Sequence, residues 1–259
     1  WPFFGESLET ARRERILRSL ALHLTFVERM LSTGKFANTH LAGEAAILVL
    51  GGLFLDCRHS ARWLATGLAH LEAQMDHQLR PDGAHAEQSI AYHRFFLDQY
   101  YLAQAFLEAN GRALPATVLA RMEAATTYLR DFTLPGGGIL NFGDCDDARA
   151  LWFHAEAPRD YRGLLALGAL RYARGDLKWV AGEATEDVLW LSGSEGLRRF
   201  DALPARAPVE RHAAYSDAGY YLTRSGWDPE AALAVFDCGP LGHGPCGHGH
   251  ADALSVQLH

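Results

Sequence analysis

Side chains that could move protons or hold an ion gather in four stretches of this 259-residue chain. The densest is GPLGHGPCGHGHADAL, residues 239–254, where His248, His250 and Asp252 follow one another at i, i+2 and i+4. On an extended segment these three share a face. Imidazole nitrogen with carboxylate oxygen suits zinc, which normally needs at least one further ligand, and His243 and Cys246 stand close by. The plainer alternative is a glycine-rich connection whose histidines are solvated.

The second stretch, FANTHLAGEA, places Asn38, His40 and Glu44 at a loop-to-helix junction. His40 and Glu44 are i, i+4 and face one side of the helix, while Asn38 or Thr39 can cap it. The third, EQSIAYHRFFLDQY, carries Gln88 and Tyr92 at i, i+4, with Tyr92 followed directly by His93. An aromatic on a helix is more often core than catalyst. The fourth, PGGGILNFGDCDDA at residues 135–148, follows three glycines with Asp144, Asp146 and Asp147. Hard oxygen ligands would favour calcium, but the spaced pattern and terminal Glu of an EF-hand are missing. Asp144 and Asp146 could also form the acid and base of a glycoside hydrolase, or hold the loop by hydrogen bonds.

These groups must be positioned by the elements around them. ARRERILRSLALHLTFVERM, residues 11–30, sets Ile16, Leu17, Leu20, Leu22, Phe26 and Met30 near a 3.6-residue period and predicts an amphipathic helix. Residues 40–55 read as a more thoroughly apolar helix, and 61–78, 88–109, 115–132 and 159–174 continue the series. Helix follows helix without the strand alternation of a parallel sheet. After about Trp190 the texture changes. Tyr220, Leu222 and Arg224 alternate with Tyr221, Thr223 and Ser225, and Leu254, Val256 and Leu258 alternate with Ser255, Gln257 and His259, which predicts antiparallel strands. The expected division is a helical domain over 1–195, a connector over 196–213 and the start of a β domain over 214–259.

Composition narrows the functional classes. With 49% hydrophobic and 21% charged residues the chain is globular rather than disordered. A net charge of −7 argues against nucleic acid as partner. The four cysteines show no CxxC spacing, and the apolar run AAILVLGGLFL is too short to span a bilayer, so no transmembrane segment is expected.

In order, ANTHLAGEA, EQSIAYHRFFL, LNFGDCDD, SDAGYYLTRSGW and FDCGPLGHGPCGHGHADALSVQL resemble the heparinase II/III-like polysaccharide lyases, whose relatives include oligo-alginate lyases. The resemblance covers about residues 10–259. It implies an α+β multidomain protein, an (α/α) toroid of helical hairpins followed by an antiparallel β-sandwich, both incomplete in this chain. It also implies a periplasmic or secreted enzyme that cleaves uronic-acid glycans by β-elimination, with an anionic polysaccharide or oligosaccharide as substrate.

By that resemblance Tyr92, His40 and His248 are the catalytic residues, and Asn38, Gln88, His93 and Glu44 contact substrate. Asp144 and Asp146 support the cleft. His250 is similar to the ligand of a structural Zn²⁺ whose remaining ligands are expected beyond His259. Some relatives carry Asn immediately before the helix histidine; here Thr39 stands there and Asn38 one position earlier. Two other readings remain open from the residues: a glycan-binding protein without turnover, and a hydrolase built on Asp144 and Asp146.

Overall fold

A computed structural model describes residues 6–34, 39–145, 149–150, 159–242, 247–248, 250 and 253–259. Five long helices come first: α1 (Thr10–Arg29), α2 (Thr39–Phe54), α3 (Ser60–Gln78), α4 (Ile90–Ala109) and α5 (Ala116–Phe132). Three more follow, α6 (Arg162–Tyr172), α7 (Gly175–Ala181) and α8 (Glu186–Ala202), before strands β1 (His212–Tyr215), β2 (Tyr220–Arg224), β3 (Leu233–Asp237) and β4 (Ser255–Leu258). Stacked helical hairpins from α2 to α6 thus lead into a small antiparallel sheet.

The apolar α2 is buried along most of its length, from Leu41 and Ala42 to Val49 and Gly51. It packs closely on α3 because Gly67 has no side chain: a Cβ there would lie 2.6 Å from the Ala45 carbonyl oxygen. Helix α4 runs through the middle of the helical layer, burying Phe96, Leu97, Tyr100, Ala103 and Leu107. By contrast, α1 buries only Leu24. Of the six residues read on its period, Ile16, Leu20, Leu22, Phe26 and Met30 are exposed, and Leu17 packs inward. Its real contact face is Leu17, Ala21, Leu24 and Val27, set against Leu48, Leu55 and Trp63.

The sheet is a meander in the order β1-β2-β3-β4, every pair antiparallel, with Tyr220 opposite Asp237 and Phe236 opposite Val256. Strand β2 alternates as its sequence predicts, with Tyr220, Leu222 and Arg224 inward. Arg224 tolerates burial because its guanidinium donates to the Asp131 and Thr133 carbonyls at the end of α5. Tyr215 adds a 2.6 Å hydrogen bond to the Asp131 carboxylate. Between these polar ties, Tyr128, Phe132, Phe142, Tyr215 and Tyr220 form one aromatic cluster. That cluster fastens the sheet to the helices and brings the loop around Phe142 to their junction.

Candidate active site

Two segments that approach α4 build the site. Gln88, at φ +56, turns the chain sharply just before the helix, a conformation that is strained for a residue with a side chain. The turn is held by its side chain, whose Nε2 donates to the Ala218 carbonyl at 3.1 Å in the connection between β1 and β2. The next residue, Ser89, caps α4 by accepting the Tyr92 N–H at 3.2 Å, and its hydroxyl donates to the Asp144 carbonyl at 2.7 Å. One hydroxyl therefore fixes both the turn that carries Tyr92 and the loop that carries Asp144.

The glycine-rich segment reaches the same place from the sheet. The Asp144 N–H donates to the His248 carbonyl at 3.0 Å. Gly143 permits this approach, since at φ +62 its Cβ would stand 2.4 Å from the His248 carbonyl oxygen. Gly143→Ala should accordingly cost about 1–3 kcal/mol of stability and move His248 off its partners. Urea unfolding, read beside turnover in the intact protein, checks this; an unchanged midpoint with unchanged turnover would refute it.

Tyr92 and His248 meet as stacked rings, with centroids 3.9 Å apart and planes 24° apart. Tyr92 is half-buried. His248 Nδ1 lies 3.0 Å from Asp144 Oδ2, and His250 Nε2 lies 2.6 Å from Asp144 Oδ1. These hydrogen bonds, from His248 first and His250 second, hold the Asp144 carboxyl below the usual carboxylate range. A carboxylate facing Nδ1 requires the proton on that nitrogen, which leaves Nε2 of a neutral His248 as the basic edge.

The zinc expectation is overturned here. Among the described residues no group of three or more His, Cys, Asp or Glu side chains is placed to hold a metal ion, and His250 hydrogen-bonds Asp144 instead. His243, Cys246 and Asp252 lie outside the described residues, as do Asn38 and Asp146.

The other candidates divide. His40 is exposed on the first turn of α2. Glu44, one turn on, accepts from the Ser32 N–H and hydroxyl, both at 2.7 Å, and so anchors the segment that follows α1. Gln88 is buried and occupied with Ala218 on one side, while its Oε1 has no hydrogen-bond partner. His93 points into the core, 1% exposed, with Nε2 donating to the Ala125 carbonyl at 2.9 Å and its ring against Tyr128. The sequence reading set Tyr92 and His93 together as neighbours; one residue along a helix turns a side chain through about 100°, and here that separates surface from core.

Two groups escaped the sequence reading. Ser89 carried a legible signal, a serine three residues before the N–H that it caps. Glu87 carried none. Its carboxylate is 8% exposed and accepts from the Thr39 N–H at 3.3 Å and the Thr39 hydroxyl at 3.0 Å. Burial raises the Glu87 carboxyl above the ordinary range, against the lowering effects of the Thr39 hydroxyl and of His248 and His40 nearby.

Stacked helical hairpins leading into a small antiparallel sheet are an architecture shared with heparinase III structures. Residues 10–160 match the family described as Heparinase II/III N-terminus, more than half of the chain. The chain belongs to the heparinase II/III family. It is 23% identical over 200 residues to the heparin-sulfate lyase of Bacteroides thetaiotaomicron, covering 76% of this chain and 27% of that protein. With the heparin-sulfate lyase of Pedobacter heparinus it shares 27% identity over 203 residues, 75% of this chain and 26% of that one. The crystal structure of a heparan sulfate lyase from Pedobacter heparinus superposes with a TM-score of 0.67 at 22% identity, over 94% of this chain and 34% of that chain. A crystal structure of heparinase III does so with a TM-score of 0.71 at 19% identity, over 93% and 36%. The chain thus spans about a quarter of the length of these curated relatives and about a third of the solved structures. Among the described residues no helix is long and apolar enough to cross a membrane.

Proposed function

We propose that this chain carries the catalytic junction of a polysaccharide lyase that cleaves uronic-acid glycans by β-elimination. The observation that supports this best is the row Asp144–His248–Tyr92, with a hydrogen bond at one end and a ring stack at the other. Abstracting the C5 proton of a uronate is hard because the adjacent carboxylate is already negative, so a base must stand close and charge must be stabilised. His248 in its Nδ1–H form takes the C5 proton on Nε2. The C5–H electrons form the C4=C5 double bond, the C4–O4 bond breaks, and the Tyr92 phenol gives its proton to the departing oxygen. Between turnovers the imidazolium and the phenolate exchange that proton through solvent. His40, and Asn38 two positions before it in the sequence, are the donors proposed for the uronate carboxylate.

Stacked rings suit this division because a tyrosine and an imidazole in face contact, 3.9 Å between centroids, are close enough for both to serve one sugar ring. Asp144 contributes by fixing the tautomer and by favouring the imidazolium as it forms. Its lowered carboxyl is unsuited to the role of a glycosidase acid, which must hold its proton at working pH. The deciding experiment incubates the intact parent protein with a panel of uronic-acid polymers. Ultraviolet absorbance of a 4,5-unsaturated uronate supports elimination; new reducing ends without that chromophore would establish hydrolysis, and binding without either product would establish a glycan-binding protein.

A further inference from the structure

We propose that Glu87 is a positioning residue for this reaction: its carboxylate clamps the first turn of α2, and with it His40, to the segment that leads into Tyr92. Thr39 opens α2 immediately before His40, and its N–H and hydroxyl each donate to a different oxygen of Glu87, at 3.3 and 3.0 Å. The two residues lie 48 positions apart, so the contact joins separate hairpins and is not a local turn. It is also enclosed, with Thr39 at 2% and Glu87 at 8% exposure. A carboxylate that accepts on both oxygens from one residue fixes distance and orientation together, which a single hydrogen bond does not.

The other end of the clamp is equally defined. The Glu87 N–H donates to His85 Nδ1 at 3.3 Å, and His85 Nε2 meets the Gln78 Oε1 at 3.2 Å, at the end of α3. That pairing sets the buried His85 as the neutral Nε2–H form. Five residues beyond Glu87 along the chain stands Tyr92, reached through the strained Gln88 and the capping Ser89. On its other face, a side chain added at Gly242 would come within 3.0 Å of the Glu87 carbonyl oxygen, so the glycine-rich segment also packs on this residue. Glu87 is therefore the point at which the supports of His40 and Tyr92 come together, although it lies beneath the surface rather than on it. Displacing a reacting group by about 1 Å costs on the order of 10²-fold in rate, and the clamp acts on that scale.

The kinetic arm of the test rests on the lyase reading; the exchange arm does not. In the intact protein Glu87→Gln keeps the size of the side chain but replaces one accepting oxygen by an NH₂, so that the Thr39 hydroxyl must turn to accept and the charge assistance of both hydrogen bonds is lost. It should lower kcat by about 10–100-fold with KM within about threefold. Thr39→Val, which lacks the hydroxyl, should do the same, Thr39→Ser should restore kcat to within about threefold, and the double variant Glu87→Gln/Thr39→Val should be no worse than the poorer single one. Effects that multiply, or wild-type kcat in Thr39→Val, would overturn the clamp. Amide hydrogen exchange supplies the second reading: in Glu87→Gln the amides of residues 39–41 should exchange at least about tenfold faster while those of α4 keep their protection. Unchanged exchange, or a uniform rise through α2 and α4, would equally overturn it. If the wild type makes no unsaturated product the lyase reading fails, and exchange in Glu87→Gln and Thr39→Val still decides the clamp.

Discussion

Tyr92→Phe in the intact protein should lower kcat for elimination by about 10²–10⁴-fold and leave KM within a few-fold. The change removes one oxygen and keeps the two contacts that place the ring. Ser89 caps α4 through the Tyr92 backbone N–H, and the stack on His248 uses the ring face, so both survive. Without the phenolic proton the departing oxygen leaves as an alkoxide or waits for water. Bound substrate still meets His40 and His248, which is why the loss falls on turnover. Initial rates of ultraviolet absorbance against substrate concentration give both constants; wild-type kcat in Tyr92→Phe would remove Tyr92 from the proton transfer, and a KM effect alone would make it a binding residue.

The helical half of the fold was legible because its cores are periodic. The apolar run from Ala45 to Leu55 and the aromatic-rich segment over 88–109 give α2 and α4, and the alternation of Tyr220, Leu222 and Arg224 gives β2. Periodicity finds α1 but not its inner face: of the residues read on the period only Leu17 packs inward, beside Leu24. A period defines a face but not what covers it. The site was legible as residue types but not as partnerships. His248 and His250 at i, i+2 suggested a shared ligand, and they do share one, the Asp144 carboxylate 104 and 106 residues away, in place of a metal. Glu87 was invisible because its significance lies in a contact with Thr39 and in its burial, neither of which spacing encodes. His93 shows the converse: the resemblance implied a substrate contact for it, and helical rotation past Tyr92 sends it into the core.

That buried histidine carries the second large effect, on stability against pH. Burial pushes the His93 pKa down to about 4 from an ordinary 6.5, with the Ala125 hydrogen bond opposing the fall. Its Nε2–H already serves Ala125, and Nδ1 has no hydrogen-bond partner, so a proton added there would be an unpaired buried charge. Above pH 6.5 the ring is neutral in folded and unfolded chains alike. As pH falls from 6.5 toward 4 the unfolded chain takes up a proton that the folded one refuses, and stability is lost until the folded ring also titrates near 4. The loss from this one ring is about 3 kcal/mol. His85, whose pKa is also pushed well down by burial and by neighbouring positive groups, acts in the same direction. Asp98 acts oppositely: burial raises its carboxyl to about 6, so the folded chain binds that proton first and gains stability as pH falls toward 3.8. The wild-type profile mixes these signs, and variants separate them. His93→Gln can still donate to Ala125 and does not titrate, so its stability relative to wild type should improve by about 3 kcal/mol between pH 7 and pH 4. Urea unfolding at a series of pH values measures that difference; a constant offset across the range would show that His93 is not the group that refuses the proton.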